Sequence, residues 1–152
     1  MTRAVLLFAA VAIAWAAAAQ TRTPSDPLAG AWRFETGPFY DSCRLVGTMM
    51  IAPTAQPNRF TCRFTAYQKC TGLADDIAEQ VCTVTRSANQ VTITSKLVRA
   101  SSPGYTADQW RLTFKSPTLM TGHQWDSHTP RLPNGGLDTL PASFTRSPTP
   151  IS

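Results

Sequence analysis

Two histidines and an aspartate fall within one short segment, Gly122-His-Gln-Trp-Asp-Ser-His128, and these are the only histidines of the chain. His123, Asp126 and His128 are all metal-ligand types. A mononuclear zinc site needs three or four converging ligands, and a catalytic one leaves a position open for water. On an extended strand His123 and His128 have opposite parity, so they converge only if the chain bends near Asp126. A metal-dependent or acid–base enzyme is therefore one reading of this cluster. The other is two histidines beside a loop, solvated or hydrogen bonded.

Other catalytic patterns find less support. No G-x-S-x-G elbow is present to expose a nucleophilic serine. Asp75-Asp76 are adjacent, which suits an exposed turn or a helix cap better than a pair of carboxylates flanking a sugar. Gly135-Gly136 is a lone glycine pair in a proline-rich stretch, not a phosphate-binding loop. No cofactor is implied.

The four cysteines, Cys43, Cys62, Cys70 and Cys82, are read through the compartment. Arg3 followed by the apolar run Ala4 to Ala19 predicts a signal peptide over residues 1–19, cleaved near Ala19–Gln20. Export, periplasmic or secreted, favours disulfides, and the wide cysteine gaps do not suit the close C-x2-C or C-x4-C pairs of zinc sites. Two pairings are open. Cys43–Cys62 with Cys70–Cys82 is preferred, because the second bridge would staple the join between sequential strands. The rival is Cys43–Cys70 with Cys62–Cys82, and a hairpin centred on Gln56-Pro57 favours its first bridge.

The elements that must position these residues read as strands. Residues 20–27 form a polar lead-in expected to be disordered, residues 28–146 one domain, and residues 147–152 a flexible tail. Trp32 and Phe34 alternate with Arg33 and Glu35, a period of two. Cys43 to Ile51 and Phe60 to Tyr67 alternate likewise, with Gly47 marking a bulge or a close backbone approach. Leu73, Ile77 and Val81 recur every four residues, which predicts one short helical turn over a barrel end or sheet edge. Val81 to Arg86 and Val91 to Val98 form a hairpin. Gln109 to Lys115 alternates with Trp110, Leu112 and Phe114 inward; Leu119 to Trp125 and Ala142 to Arg146 complete the set. Residues 126–141 lack any period, which marks a functional or disordered loop. The fold class is all-β: a single small antiparallel barrel or barrel-like sandwich of seven to eight strands.

Arginine outnumbers lysine eleven to three, and the formal charge is +5. The arginines alternate with threonine along several strands rather than lining one aromatic groove, so no nucleic-acid partner is expected. No second apolar run follows the leader, so no transmembrane segment is expected in the mature chain.

Gly30-Ala31-Trp32 at the first strand resembles the G-x-W opening of lipocalin-like (calycin) barrels. That resemblance implies that Trp32 packs near the closed end against a basic residue of the last strand, the position matched by Arg146. Leu28-x-Gly30-x-Trp32 followed by Cys43 also resembles periplasmic hydrolase inhibitors. Cys43-x3-Gly47-x-Met49, then Cys62, Cys70 and Cys82, then Tyr105-x2-Asp108-x-Trp110-x-Leu112 and Met120-x-Gly122, is similar to small uncharacterised exported bacterial four-cysteine β-proteins. That last pattern implies no activity.

The expected function is binding without catalysis, by a disulfide-stabilised exported protein. An unknown small ligand would meet inward aromatics such as Trp32, Phe64 and Trp110. An exported protein partner, such as a hydrolase, would meet residues 122–141, with Trp125 as an apolar anchor and Arg131 beside it. A metal-dependent enzyme using His123, Asp126 and His128 and a purely structural envelope role are the alternatives.

Overall fold

The structure, a computed structural model, describes residues 26–40 and 42–148. The expected signal peptide, residues 20–25 of the lead-in and residues 149–152 of the tail lie outside the described residues. Eight strands follow one another: β1 (Gly30–Thr36), β2 (Cys43–Pro53), β3 (Arg59–Cys70), β4 (Asp76–Ser87), β5 (Gln90–Ala100), β6 (Gln109–Ser116), β7 (Leu119–Trp125) and β8 (Leu140–Arg146). Each pairs antiparallel with the next, and β1 closes onto β8 through Trp32 opposite Arg146 and Phe34 opposite Phe144. The fold is thus a closed barrel rather than a sandwich, and closure leaves no sheet edge along the paired strands.

Among the described residues there is no helix. The spacing of Leu73, Ile77 and Val81 is not helical: residues four apart also share one face of a strand. Ile77 and Val81 lie on the outer face of β4 and are exposed, while Ala78, Gln80, Cys82 and Val84 point inward. Leu73 is exposed in the preceding loop.

This correction carries a second one. The disulfides are Cys43–Cys70 and Cys62–Cys82, so the preferred pairing is wrong and its rival is right. The β2–β3 hairpin places Cys43 directly opposite Cys70 and Cys62 opposite Ile51, out of reach of Cys43. Because β4 starts at Asp76 without a helical turn, Cys82 runs well inside the sheet and faces Cys62 across β3–β4. Two disulfides fit an oxidising, extracytoplasmic environment.

The middle of the barrel is filled. Phe34 packs against Phe64 (ring centroids 5.6 Å apart), Trp110 (5.1 Å) and Phe144 (5.4 Å). Gly47 makes this possible, for a Cβ there would overlap both the Phe34 ring and the Thr65 carbonyl oxygen. It marks a close approach and no bulge, since the β2–β3 register runs through it unbroken. Trp32, Phe64 and Trp110 are therefore core residues at 0, 5 and 0% exposure. They are not a ligand lining. The outer wall carries exposed Arg33, Arg44, Arg63 and Arg111, with an apolar patch of Ile77, Val81, Leu97 and Val98 confined to β4 and β5. A barrel spanning a membrane carries an apolar band there instead.

The two ends differ. At one, the strands join by tight connections, residues 54–58, 88–89 and 117–118. There Leu28 and Trp32 are fully buried, and the Trp32 indole N–H donates to the Leu28 carbonyl at 2.9 Å. The Arg146 guanidinium lies over the Trp32 ring, 5.6 Å from its centroid, and donates to the carbonyls of Ala29 (2.6 Å) and Pro27. The Trp–Arg contact implied by the G-x-W opening is present. Asp26 ties this cap to the β4–β5 end by an ion pair with Arg86 at 2.7 Å. The other end carries the longer connections, residues 37–42, 71–75, 101–108 and 126–139.

Candidate functional site

The loop-bearing end holds a cavity of about 680 Å³. Its floor is made by inward-facing residues at the mouth-side ends of strands: Leu45 from β2, Gln124 from β7, Leu140 from β8, and Asp108 just before β6. Asp108 shares inward parity with Trp110 and Leu112, so the alternation that builds the core also drives a carboxylate into the barrel. It is 3% exposed.

Three neutral donors hold that carboxylate. The Gln80 and Gln124 side-chain amides donate to it, the latter at 2.8 Å, and the Tyr105 hydroxyl donates at 2.9 Å. Gln80 also accepts the Asp108 backbone N–H at 2.9 Å, which fixes the orientation of its amide. Gln80 and Gln124 are themselves 1 and 5% exposed. No cation joins the group among the described residues. Burial pushes the Asp108 carboxyl up from an ordinary 3.8 to about 6, with the charge of Asp126 adding to the rise. The hydrogen bonds from Gln80, Tyr105 and Gln124 oppose it. Burial, with the Asp108 charge second, also raises Tyr105, which stays a neutral donor.

Aromatic and polar groups wall the space above this floor. Phe39 and Tyr40 come from the β1–β2 connection, their rings 5.4 Å apart, and Tyr105 from the β5–β6 connection. Tyr40 adopts a left-handed backbone (φ 46°) and is exposed at the rim. Thr106 also lines the cavity, and its hydroxyl is buried without a hydrogen-bond partner. Deeper in the barrel the Ser95 hydroxyl and the Trp110 indole N–H are likewise buried and unpartnered. Buried polar atoms of this kind call for an explanation, since each costs about 1–3 kcal/mol when unsatisfied.

The 126–139 segment is ordered into a small hairpin over the mouth. Asp138 N–H donates to the Pro130 carbonyl at 2.9 Å and Leu132 N–H to that of Gly136 at 2.7 Å. Gly135 turns the chain with φ 83°, a conformation glycine adopts without strain. Asp126 starts the segment as an Asx turn, its carboxylate accepting the His128 N–H at 2.8 Å and the Thr129 hydroxyl at 3.2 Å.

The sequence-predicted residues separate here. Asp126 and His128 line the mouth. His123 is exposed on the outward side of β7, with Thr139 Oγ1 3.1 Å from its Nδ1. Among the described residues no three His, Cys, Asp or Glu side chains are gathered closely enough to hold a metal ion. Trp125 also faces outward, 5.9 Å from the Arg111 guanidinium. Arg131 is exposed on the small hairpin, bridged to Leu137. The buried Asp108–Gln80–Gln124–Tyr105 group was not expected. Its signal was a run of polar residues at inward parity: Gln80 with Cys82 and Val84, Asp108 with Trp110, Gln124 with Met120.

No protein-family model and no curated protein matches the chain. Among solved structures the barrel is similar to a de novo designed fluorescence-activating β-barrel, with 18% identity over 80% of this chain and 94% of that one, and a TM-score of 0.51. At that identity the likeness is one of fold: an eight-stranded antiparallel barrel, here carrying two disulfides.

Proposed function

We propose that this protein is a non-catalytic binding protein that takes a small ligand in the open mouth of its barrel. One observation carries the reading: a cavity of about 680 Å³ opens at one end of a barrel whose middle is filled, whereas the hollow of about 410 Å³ at the other end, beside Gly30, Met50 and Arg146, is lined by no residue of the core cluster. A concave site with apolar and aromatic walls and a few placed polar groups is the usual form of a small-molecule site. Eight-stranded barrels are just wide enough to hold one such ligand. The designed barrel of similar fold is described as fluorescence-activating, which supports the use of such a scaffold for a small molecule. The leader-like N-terminus and the disulfides support a periplasmic or secreted location, and the Trp32–Arg146 contact supports a lipocalin-like relationship.

A second reading draws on the rim. Tyr40, Leu73 and Leu132 are 82, 71 and 40% exposed, each on a different connection at the mouth. An exported protein partner docking over the mouth would meet all three. Titration with Nile red, a neutral environment-sensitive dye, tests the small-ligand reading. Saturable one-to-one binding is expected, and Thr106→Trp, which places an indole at the cavity wall, weakens it. Absence of binding, or binding that Thr106→Trp leaves intact, would count against the mouth as a ligand site.

A further inference from the structure

We infer that the mouth selects a small organic cation, an ammonium group on an apolar or aromatic body, with the buried Asp108 carboxylate as its anchor. The inference rests on the small-ligand reading above and names the ligand class for that same cavity.

The distribution of acidic groups supports it. Outside the cavity, every described acidic residue has a cationic partner: Asp26 with Arg86, Glu35 with Arg44, Asp75 with Lys69 and Glu79 with Arg99, at 2.5 to 3.0 Å. The remaining four, Asp76, Asp108, Asp126 and Asp138, all line the cavity, and none has a cationic partner among the described residues. Asp76 accepts only the Ser101 hydroxyl among side-chain donors, and Asp126 only neutral donors. No lysine or arginine lines the space. In a chain of formal charge +5, the lining of this one concave surface carries four carboxylates and no lysine or arginine, although Arg131 stands exposed on the hairpin above it. Such a surface concentrates field lines on a cation and repels anions.

The other groups of the cavity suit the same guest. Asp108 is held by three neutral donors that position it without cancelling its charge, and a carboxylate offers about four acceptor sites, so one remains. The faces of Phe39, Tyr40 and Tyr105 attract a cation through their ring quadrupoles. The unpartnered Thr106 hydroxyl can accept one further ammonium N–H. Leu45 and Leu140 offer apolar contact to the ligand's body.

Three probes of matched shape test this: phenethylammonium, neutral 2-phenylethanol and anionic 3-phenylpropionate, titrated by calorimetry at pH 7.5 in low salt. The amine is expected to bind one-to-one, about tenfold or more tighter than the alcohol, as a partly buried unit charge warrants, with no detectable binding of the acid. In Asp108→Asn the preference for amine over alcohol falls to about one. If that variant does not fold, the combined rim variant Asp76→Asn, Asp126→Asn and Asp138→Asn leaves the buried group intact, and the amine preference falls about threefold or more. Equal binding of amine and alcohol by the wild type overturns the cation inference while leaving the small-ligand reading in place. An amine preference that survives both sets of substitutions also overturns it. Failure of all three probes together with Nile red overturns both.

Discussion

Asp108 makes the protein's stability depend on pH in a direction opposite to that of most carboxylates. In the folded barrel its carboxyl keeps a proton up to about pH 6, because burial penalises the charged form more than three hydrogen bonds favour it. In the unfolded chain the same group releases its proton near the ordinary 3.8. Between these values the folded state binds more protons than the unfolded state, so stability falls as pH rises through the window. Below pH 3.8 both states are protonated and Asp108 contributes no difference; above pH 6 the full cost is present. The two values correspond to about 3 kcal/mol, an appreciable part of the 5–15 kcal/mol that stabilises a typical domain. Urea unfolding under non-reducing conditions, at half-unit steps from pH 4 to pH 7.5, measures it against Asp108→Asn, in which the titrating group is gone. The difference in unfolding free energy should move against the wild type by about 2–3 kcal/mol between pH 4 and pH 7. The titratable side chains that share the cavity with Asp108 are Asp76, Asp126, Asp138 and His128, with the Tyr105 hydroxyl donating to it. Repeating the series in Asp126→Asn should narrow the window from its upper side, since the Asp126 charge contributes to the rise. A difference that stays flat, or that favours the wild type as pH rises, would falsify the assignment of Asp108 as a buried carboxylate without a cation.

Three further outcomes follow from the packing. Phe34→Ala removes a ring that touches Phe64, Trp110 and Phe144, and should cost about 3–5 kcal/mol in chemical unfolding. Non-reducing peptide analysis should recover Cys43 linked to Cys70 and Cys62 linked to Cys82; replacing either pair by alanine should lower stability by about 3 kcal/mol. Arg146→Ala removes the hydrogen bonds to Pro27 and Ala29 and the cover over Trp32, and should cost about 1–3 kcal/mol. Since it acts at the opposite end, Nile red binding at the mouth should be unchanged below the unfolding transition.

The strands were legible because each inner face is written by alternation. Phe60, Cys62, Phe64 and Ala66 stand inward in β3 as their parity requires, and Trp110 and Leu112 do so in β6. The helical turn expected from Leu73, Ile77 and Val81 failed for a simple physical reason: a four-residue repeat fits a strand as well as a helix. β4 spends that face on the outside of the barrel. The cysteine pairing then failed as a consequence, because the imagined turn kept Cys82 beside Cys70. Asp126 and His128, read from the sequence as metal-ligand types, line the mouth. His123 and Trp125 did not follow them, because odd and even positions of β7 face opposite sides of the wall. Asp108 went unnoticed as a candidate site residue although it stood in plain view within Tyr105-x2-Asp108-x-Trp110. Alternation was read there for apolar residues only, and a charged residue at inward parity carries the more informative signal. Of the three donors around it, Tyr105 is local, three residues before Asp108, whereas Gln80 and Gln124 come from β4 and β7 and depend on how the strands are arranged around the barrel.

The small ligand is expected at the mouth and not in the hollow beside Gly30, Met50 and Arg146 at the other end. Amide chemical shifts in two-dimensional NMR, followed during titration with phenethylammonium at pH 7.5, test it most directly. Saturable shifts are expected at the non-proline residues of 38–40, 104–108, 124–130 and 138–140, with those of 26–32, 54–58, 88–89 and 117–118 unmoved. Saturable shifts centred on the Trp32–Arg146 end, or none at the mouth at millimolar probe, would contradict it.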